Sequence, residues 1–289
     1  MKKYNVLIVG AGGQGALSDA PGSGNEHKII SFAKAFKQHP GFEIAGIVDK
    51  NHDAADKARQ IWGVKWWCVG EGAHSFFFDN YAPPLTIDIA VVATPDDQHY
   101  KILKELAGYP LKLVICEKPL CTDLQQAREI VELYKAKGIP LMCNYTRRFI
   151  PELQDLKRRY EAGEFGELCW VRIGYNRGLL HTGSHAVDFI CWLLEECEKP
   201  EILDLLLNKE NFRELLYCDY RIWQIQLFFE RYFWQEQRIG DMPVPAYYDK
   251  HMWHVTENAH NFLEGREALK CTGEDALRAL EICYELMNE

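Results

Sequence analysis

Over the first 145 residues, short and continuously apolar runs alternate with amphipathic stretches, and this alternation limits the fold more than any single motif does. Tyr4–Val9, Phe42–Val48, Ile87–Ala93, Leu111–Cys116 and Pro140–Asn144 read as strands without a polar face. Between them, Glu26–Gln38, Ala54–Trp62, Gln98–Leu106 and Leu124–Lys137 read as helices, with Asn25 as N-cap of the first. Strands that are apolar throughout and separated by helices predict a parallel sheet covered on both faces.

After residue 150 the pattern changes. Pro151–Ala162 reads as a polar helix, Leu168–Tyr175 as a strand and Ser184–Leu194 as a helix rich in core residues. Trp223, Ile225, Leu227 and Phe229 alternate with Gln224, Gln226 and Phe228, which predicts an antiparallel sheet with one face less buried. Helices over His251–Leu263 and Glu274–Met287 close the chain. Trp62, Trp66, Trp67 and Phe76–Phe78 are expected in the core, and Trp223–Trp234 on a sheet face or subunit interface.

A chain of 289 residues holds one large or two modest domains. Its 33 Lys and Arg against 42 Asp and Glu give a formal charge of −9 with no basic run, which argues against nucleic acid or an anionic membrane as partner. No apolar run approaches the ~20 residues needed to span a bilayer, and Met1–Tyr4 leads into a strand rather than a signal sequence. The 10 cysteines are scattered without a C-x-x-C pair, as expected for reduced thiols in a cytoplasmic protein.

Val6–Val9 is followed by Gly10-Ala11-Gly12-Gly13-Gln14-Gly15, a strand running into G-x-G-x-x-G. Glycines there let the backbone turn tightly and approach a pyrophosphate. Asp49 ends the second strand, where a carboxylate accepts hydrogen bonds from adenosine ribose hydroxyls and disfavours a 2′-phosphate. NAD is therefore expected over NADP, with Lys50 softening the preference. Asp49 lies farther from Gly15 than the fingerprint's usual ~20 residues, because of an insertion over Ala16–Asn25 that reads as an inert extended turn.

Three further segments fall where an open α/β sheet binds ligands. Thr94-Pro95, with His99 following, ends one strand; Glu117-Lys118-Pro119 ends the next; Asn144-Tyr145-Thr146-Arg147-Arg148 follows the last. A fourth segment, Gly183-Ser184-His185-Ala186-Val187-Asp188, is preceded by Asn176-Arg177 and His181. In this order the motifs resemble the glucose–fructose oxidoreductase / inositol 2-dehydrogenase / rhizopine catabolism (Gfo/Idh/MocA) family of NAD(P)-dependent dehydrogenases. Within it, Asn176–His181 resembles a branch associated with bacterial surface-sugar synthesis.

The resemblance implies a doubly wound Rossmann domain (1–121) and a C-terminal α+β domain (122–289) with a mostly antiparallel open sheet. It implies hydride transfer between a nicotinamide and a hydroxyl carbon of a sugar, sugar nucleotide or cyclitol. Gly10, Gly12, Gly13, Gln14, Gly15, Asp49, Thr94, Pro95, His99, Glu117 and Lys118 would hold the cofactor. Lys118 and His185 would form the catalytic pair, His185 as acid/base and Lys118 stabilising the developing alkoxide. Tyr145, Arg148, Asn176, Arg177, His181 and His185 would meet a polyhydroxylated substrate, and the C-terminal sheet would pair two chains as a homodimer. Pairing of Arg147 or Arg148 with a carboxylate that holds the two domains together is an equal alternative for those two.

One position departs from the family pattern: His181 stands where an aspartate is common, four residues before the histidine. It is expected in a proton relay or against substrate. A non-catalytic dinucleotide- and sugar-binding regulator of the same fold is the competing reading. The H-x3-H-x2-D spacing of His181, His185 and Asp188 suits a metal only with partner ligands the neighbouring sequence lacks, so no metal is expected.

Overall fold

The computed structural model describes residues 3–69, 86–175, 178–194, 222–239 and 245–288. By contact density the chain divides into two compact units, residues 1–149 with 247–277 and residues 150–246 with 278–289.

The first unit is built on a six-stranded parallel sheet in the order β3-β2-β1-β4-β5-β6. The strands are β1 (Tyr4–Val9), β2 (Phe42–Asp49), β3 (Trp66–Val69), β4 (Ile89–Val92), β5 (Leu113–Cys116) and β6 (Leu141–Cys143). Central strands β4 and β5 are buried at every position, the burial a sheet covered on both faces demands. The chain leaves β1 toward β2 on one side and returns to β4 on the other, which makes the β1/β4 boundary the topological switch point. Residues 122–149, grouped from sequence with the second half, complete this sheet through β6 on β5. Trp66 and Trp67, expected in the core, lie half-buried on edge strand β3, and Phe76–Phe78 fall outside the described residues.

The helices of this unit are α1 (Phe32–Gln38), α2 (His52–Trp62), α3 (His99–Leu106), α4 (Leu124–Lys137) and α7 (His251–Leu263). Asn51 caps α2 through the amides of Asp53 and Ala54, and Gly63 ends it at φ 66°. Helix α1 is shorter than the periodicity of Glu26–Gln38 predicts, and its cap is Ser31, not Asn25. The reason is Asp19. Its buried carboxylate accepts hydrogen bonds from Ile30 N, Ser31 N and Ser31 Oγ at 2.6, 2.8 and 2.5 Å. These bonds take up the amides just ahead of α1, so residues 26–31 stay outside the helix. The Ala16–Asn25 insertion is thereby tied into the fold, and Ile29 N extends the anchorage to Asp249 O at 2.7 Å.

The second unit has an antiparallel sheet, β7 (Leu168–Gly174), β8 (Ile222–Phe229) and β9 (Phe233–Ile239), in that order. Ile173, Ile225, Leu227 and Phe229 are buried, whereas Phe233 is 44% exposed, in keeping with the alternation in sequence. Helices α5 (Pro151–Glu161) and α6 (Ser184–Leu194) belong to this unit. Helix α8 (Gly273–Asn288) starts in a capping box, with Asp275 N donating to Thr272 Oγ1 at 3.2 Å and Thr272 N donating to Asp275 Oδ2 at 2.7 Å.

Candidate active site

The carboxyl ends of β1, β2, β4 and β5 carry the glycine turn, Asp49, Thr94 and Glu117-Lys118 respectively. Parallel register brings these ends to one edge of the sheet: Val9 pairs with Val48 and with Val92, and Val92 with Cys116.

Two glycines of the turn have no substitute. Gly10 has φ +102°, and a Cβ on it would lie 2.4 Å from Ala93 O. A Cβ on Gly15 would lie 1.8 Å from Gly10 O. By contrast, a Cβ on Gly12 would meet nothing within 4 Å, and Gly12, Gly13 and Gln14 are exposed. The turn therefore closes on itself through Gly10 and Gly15 and presents the backbone of residues 12–14 outward. Ala16 N, Leu17 N and Ser18 N bond back to Gly12 O and Gly13 O, so Gly13–Leu17 forms a single wide helical turn.

Asp49 is the brace of this turn. Its Oδ2 accepts from Ala11 N at 2.6 Å and its Oδ1 from Asn51 N at 2.8 Å. A carboxylate has about four lone-pair sites, so two backbone bonds leave capacity for a ribose diol. The hydroxyl of Thr94 is buried and has no hydrogen-bond partner among the described residues. A backbone cradle closed by obligatory glycines, an acidic brace and an orphaned hydroxyl fit a dinucleotide.

His99 sits behind these loops rather than facing them. It is 1% exposed, with Nδ1 2.8 Å from Pro119 O and Nε2 3.0 Å from Thr94 O. It thus ties the loop after β4 to the loop after β5. Burial holds its pKa below the usual histidine value, against the pull of both carbonyls. A neutral ring donates at one nitrogen only, so one of the two contacts is the weaker.

Burial likewise raises the Glu117 pKa, opposed by the hydrogen bond from Asn144 Nδ2 at 2.7 Å, and lowers that of Lys118, opposed by Glu117 and Asp96. The neighbouring pair is pushed toward the uncharged forms, a setting in which a lysine gives up a proton more readily than in water. Asn144 was legible only as the end of a strand.

Tyr145 is 1% exposed and Arg148 is 6% exposed, with Arg148 Nη1 2.9 Å from Asp275 Oδ1. This arginine pairs with a carboxylate, but within the first unit rather than as a link that holds the two domains together. Arg147 is also buried, its guanidinium 5.7 Å from the Tyr248 ring centroid.

In the second unit, His181 is exposed on the wide turn Leu179–Gly183, and His185 is half-buried in the first turn of α6. Asp188 on the same helix is fully buried. Asn176 and Arg177 fall outside the described residues. Among the described residues no three His, Cys, Asp or Glu side chains gather as metal ligands, and no helix is long and apolar enough to cross a membrane. The cysteines among them, Cys68, Cys116, Cys121, Cys143, Cys169, Cys191, Cys271 and Cys283, are free thiols.

Comparison with known proteins gives the site its context. Residues 4–145 match the family model described as "Oxidoreductase family, NAD-binding Rossmann fold". The chain is 35% identical over 207 residues to an inositol 2-dehydrogenase of Corynebacterium glutamicum, an alignment covering 66% of this chain and 54% of that protein. It spans about half the length of the curated relatives it matches first. Its fold is similar to that of the WlbA dehydrogenase from Bordetella pertussis, solved with NADH and UDP-GlcNAcA, at a TM-score of 0.72 and 17% identity over 99% of this chain and 96% of that one. It is similar in the same degree to scyllo-inositol dehydrogenase from Lactobacillus casei, solved with NAD(H) and scyllo-inositol, at a TM-score of 0.72 and 12% identity, again over 99% and 96%. With the glycine turn, the acidic brace and the strand order of the matched segment in view, residues 4–145 carry the NAD-binding Rossmann fold of the Gfo/Idh/MocA oxidoreductase family.

Proposed function

We propose that the protein is an NAD-dependent dehydrogenase acting on a secondary hydroxyl of a cyclitol, sugar or sugar nucleotide. The observation that carries this reading is the glycine turn braced by Asp49 at the switch point, beside the strand end of buried Glu117 and half-buried Lys118. The named substrates of its relatives, inositols and a UDP-sugar acid, set the substrate class.

In this reading the exposed amides of Gly12, Gly13 and Gln14 face the pyrophosphate, and Asp49 binds the adenosine ribose. Thr94, Pro95 and Glu117 line the nicotinamide end, and His99 holds their loops together from behind. The bound nicotinamide supplies the hydride acceptor. Loss of hydride from a carbinol carbon requires loss of the hydroxyl proton, and the His185 imidazole takes that proton. Lys118 Nζ hydrogen-bonds the same oxygen and stabilises its developing charge. Lys118 belongs to the first unit and His185 to the second, so their pairing rests on the motif order. Tyr145, Asn176, Arg177 and His181 are the residues proposed to meet the polyol. Pairing of two chains through the C-terminal sheet and a cytoplasmic location belong to the same proposal.

The test is steady-state reduction of NAD by purified protein with myo-inositol, scyllo-inositol and a UDP-sugar panel, together with Lys118→Ala and His185→Ala. Turnover of one substrate, with losses of about 100-fold or more in kcat in each variant, supports the reading. Dinucleotide binding without turnover of any substrate favours the regulatory alternative.

A further inference from the structure

The second unit contains a buried carboxylate that the catalytic reading does not use. Glu236 on β9 is 3% exposed and pairs across the ladder with Ile225, itself fully buried. Residues directly opposite in an antiparallel pair share a face, so Glu236 lies on the buried face with Ile225, while Leu227 and Trp234 pair one step along the same face. A carboxylate in such a place is costly without a partner of complementary charge or hydrogen bonding.

The topology says which end of α6 lies over it. Phe189 of α6 meets Trp234, with ring centroids 5.1 Å apart, so this helix packs on the buried face of β9. Gly183, just before α6, is packed against Tyr175, since a Cβ on it would lie 3.3 Å from the Tyr175 ring. Tyr175 follows β7 at the end where Gly174 pairs with Gln224 and Gln224 with Gln237. Helix α6 therefore starts over the end of the sheet that holds residues 236–237 and runs toward the end that holds residue 233. His185 precedes Phe189 by one helical turn on the same helix face, and Glu236 lies two residues beyond Trp234 on the same sheet face. Both steps are ~6 Å and both point toward the start of α6.

We propose that Glu236 is a positioning residue for His185: a carboxylate supplied by the sheet that orients the imidazole and stabilises its protonated form. The family resemblance leads one to expect an acidic residue where His181 stands, and Glu236 supplies a carboxylate from the sheet instead. The catalytic part of this inference rests on the dehydrogenase reading, but the pairing of the two side chains does not. Among the described residues, the other titratable groups on the elements next to His185 are His181 in the preceding turn, Asp188 on α6 and Tyr175 at the end of β7, with Cys283 of α8 beside Asp188, its thiol pushed up to about 12 by burial and then by Asp188. Lys157 of α5 is held at the far end of α6, where its Nζ donates to Trp192 O at 2.8 Å.

The experiment follows the His185 imidazole by NMR titration of the full chain with labelled histidine, without dinucleotide or polyol, the signal assigned by its loss in His185→Asn. Glu236→Gln is expected to lower the midpoint by about one pH unit, and Glu236→Asp to restore part of the shift. In turnover assays Glu236→Gln is expected to lower kcat about 10-fold at a nearly constant KM. An unchanged midpoint in a folded Glu236→Gln protein overturns the proposal. Should that variant not fold, the side-chain carboxyl carbon of Glu236 in the unmodified protein decides: a step at the His185 midpoint supports the pair, and no step overturns it. If no substrate is turned over, the dehydrogenase reading fails while the titration still reports on the pair.

Discussion

The Asp49 carboxylate accepts a 2.6 Å hydrogen bond from the amide of Ala11, joining the end of β2 to the middle of the glycine turn. The same group proposed to read the ribose therefore also holds the turn that faces the pyrophosphate. Asp49→Ala is expected to weaken NADH binding about 10-fold or more, since both effects are lost together. Asp49→Asn supplies an amide oxygen to Ala11 N but no charge, so it is expected to bind NADH and NADPH with similar affinity. Fluorescence titration of the two dinucleotides against each variant measures both effects.

Gly15→Ala places a methyl group inside van der Waals contact of Gly10 O, whereas Gly12→Ala places one in open space. The first is expected to lower stability by about 2 kcal/mol or more, the second by well under 1 kcal/mol. Chemical denaturation separates the two. Dinucleotide binding is expected to suffer in both, because the Gly12 methyl stands where the pyrophosphate is proposed to approach.

Asp19 illustrates where sequence legibility ended. Its three bonds to residues 30 and 31 determine where α1 begins, yet it stands in a glycine- and serine-rich stretch whose composition suits any loop. Helical periodicity from residue 26 predicts a longer helix, but Ile29 and Ile30 are half-buried outside it, and the Ile29 amide bonds to Asp249 O instead of within a helix. By contrast, five strands of the first unit's sheet, β1, β2, β4, β5 and β6, were legible to within two residues, since a strand buried on both faces leaves an unbroken apolar run, whereas the half-buried edge strand β3 leaves none and was not foreseen. Asp19→Ala is expected to cost about 1–3 kcal/mol of stability with little change in dinucleotide affinity, measured by urea denaturation and NADH titration.

His99 was legible as a motif but not as a brace, because nothing in the spacing of a histidine shows that backbone carbonyls flank both ring nitrogens. With His39 and His251 it forms a set of three histidines whose pKa values burial holds below 6.5. Well above about pH 6.5 these rings are neutral in both folded and unfolded chains. Below it, the unfolded chain binds protons that the folded chain refuses, so stability is expected to fall as pH drops from about 6.5 toward 5. His99→Gln is expected to flatten part of that slope in thermal melts across this range, and to lower kcat through the loosened Thr94 and Pro119 loops.

Arg148 divides a structural role from a substrate role. Its guanidinium is paired with Asp275, the residue that also closes the cap of α8. Arg148→Lys is expected to lower the melting temperature while leaving the KM for the polyol unchanged. Sequence alone left both roles open, since a buried ion pair and a ligand contact call for the same residue type at the same strand end.

The central claim is that the glycine turn and Asp49 hold NAD. Titration of the unmodified protein with NADH and then NADPH, by nicotinamide fluorescence and thermal shift, tests it most directly. The account predicts saturable NADH binding with a raised melting temperature, and NADPH binding weaker by about 10-fold or more. Absence of binding by either dinucleotide would contradict the account.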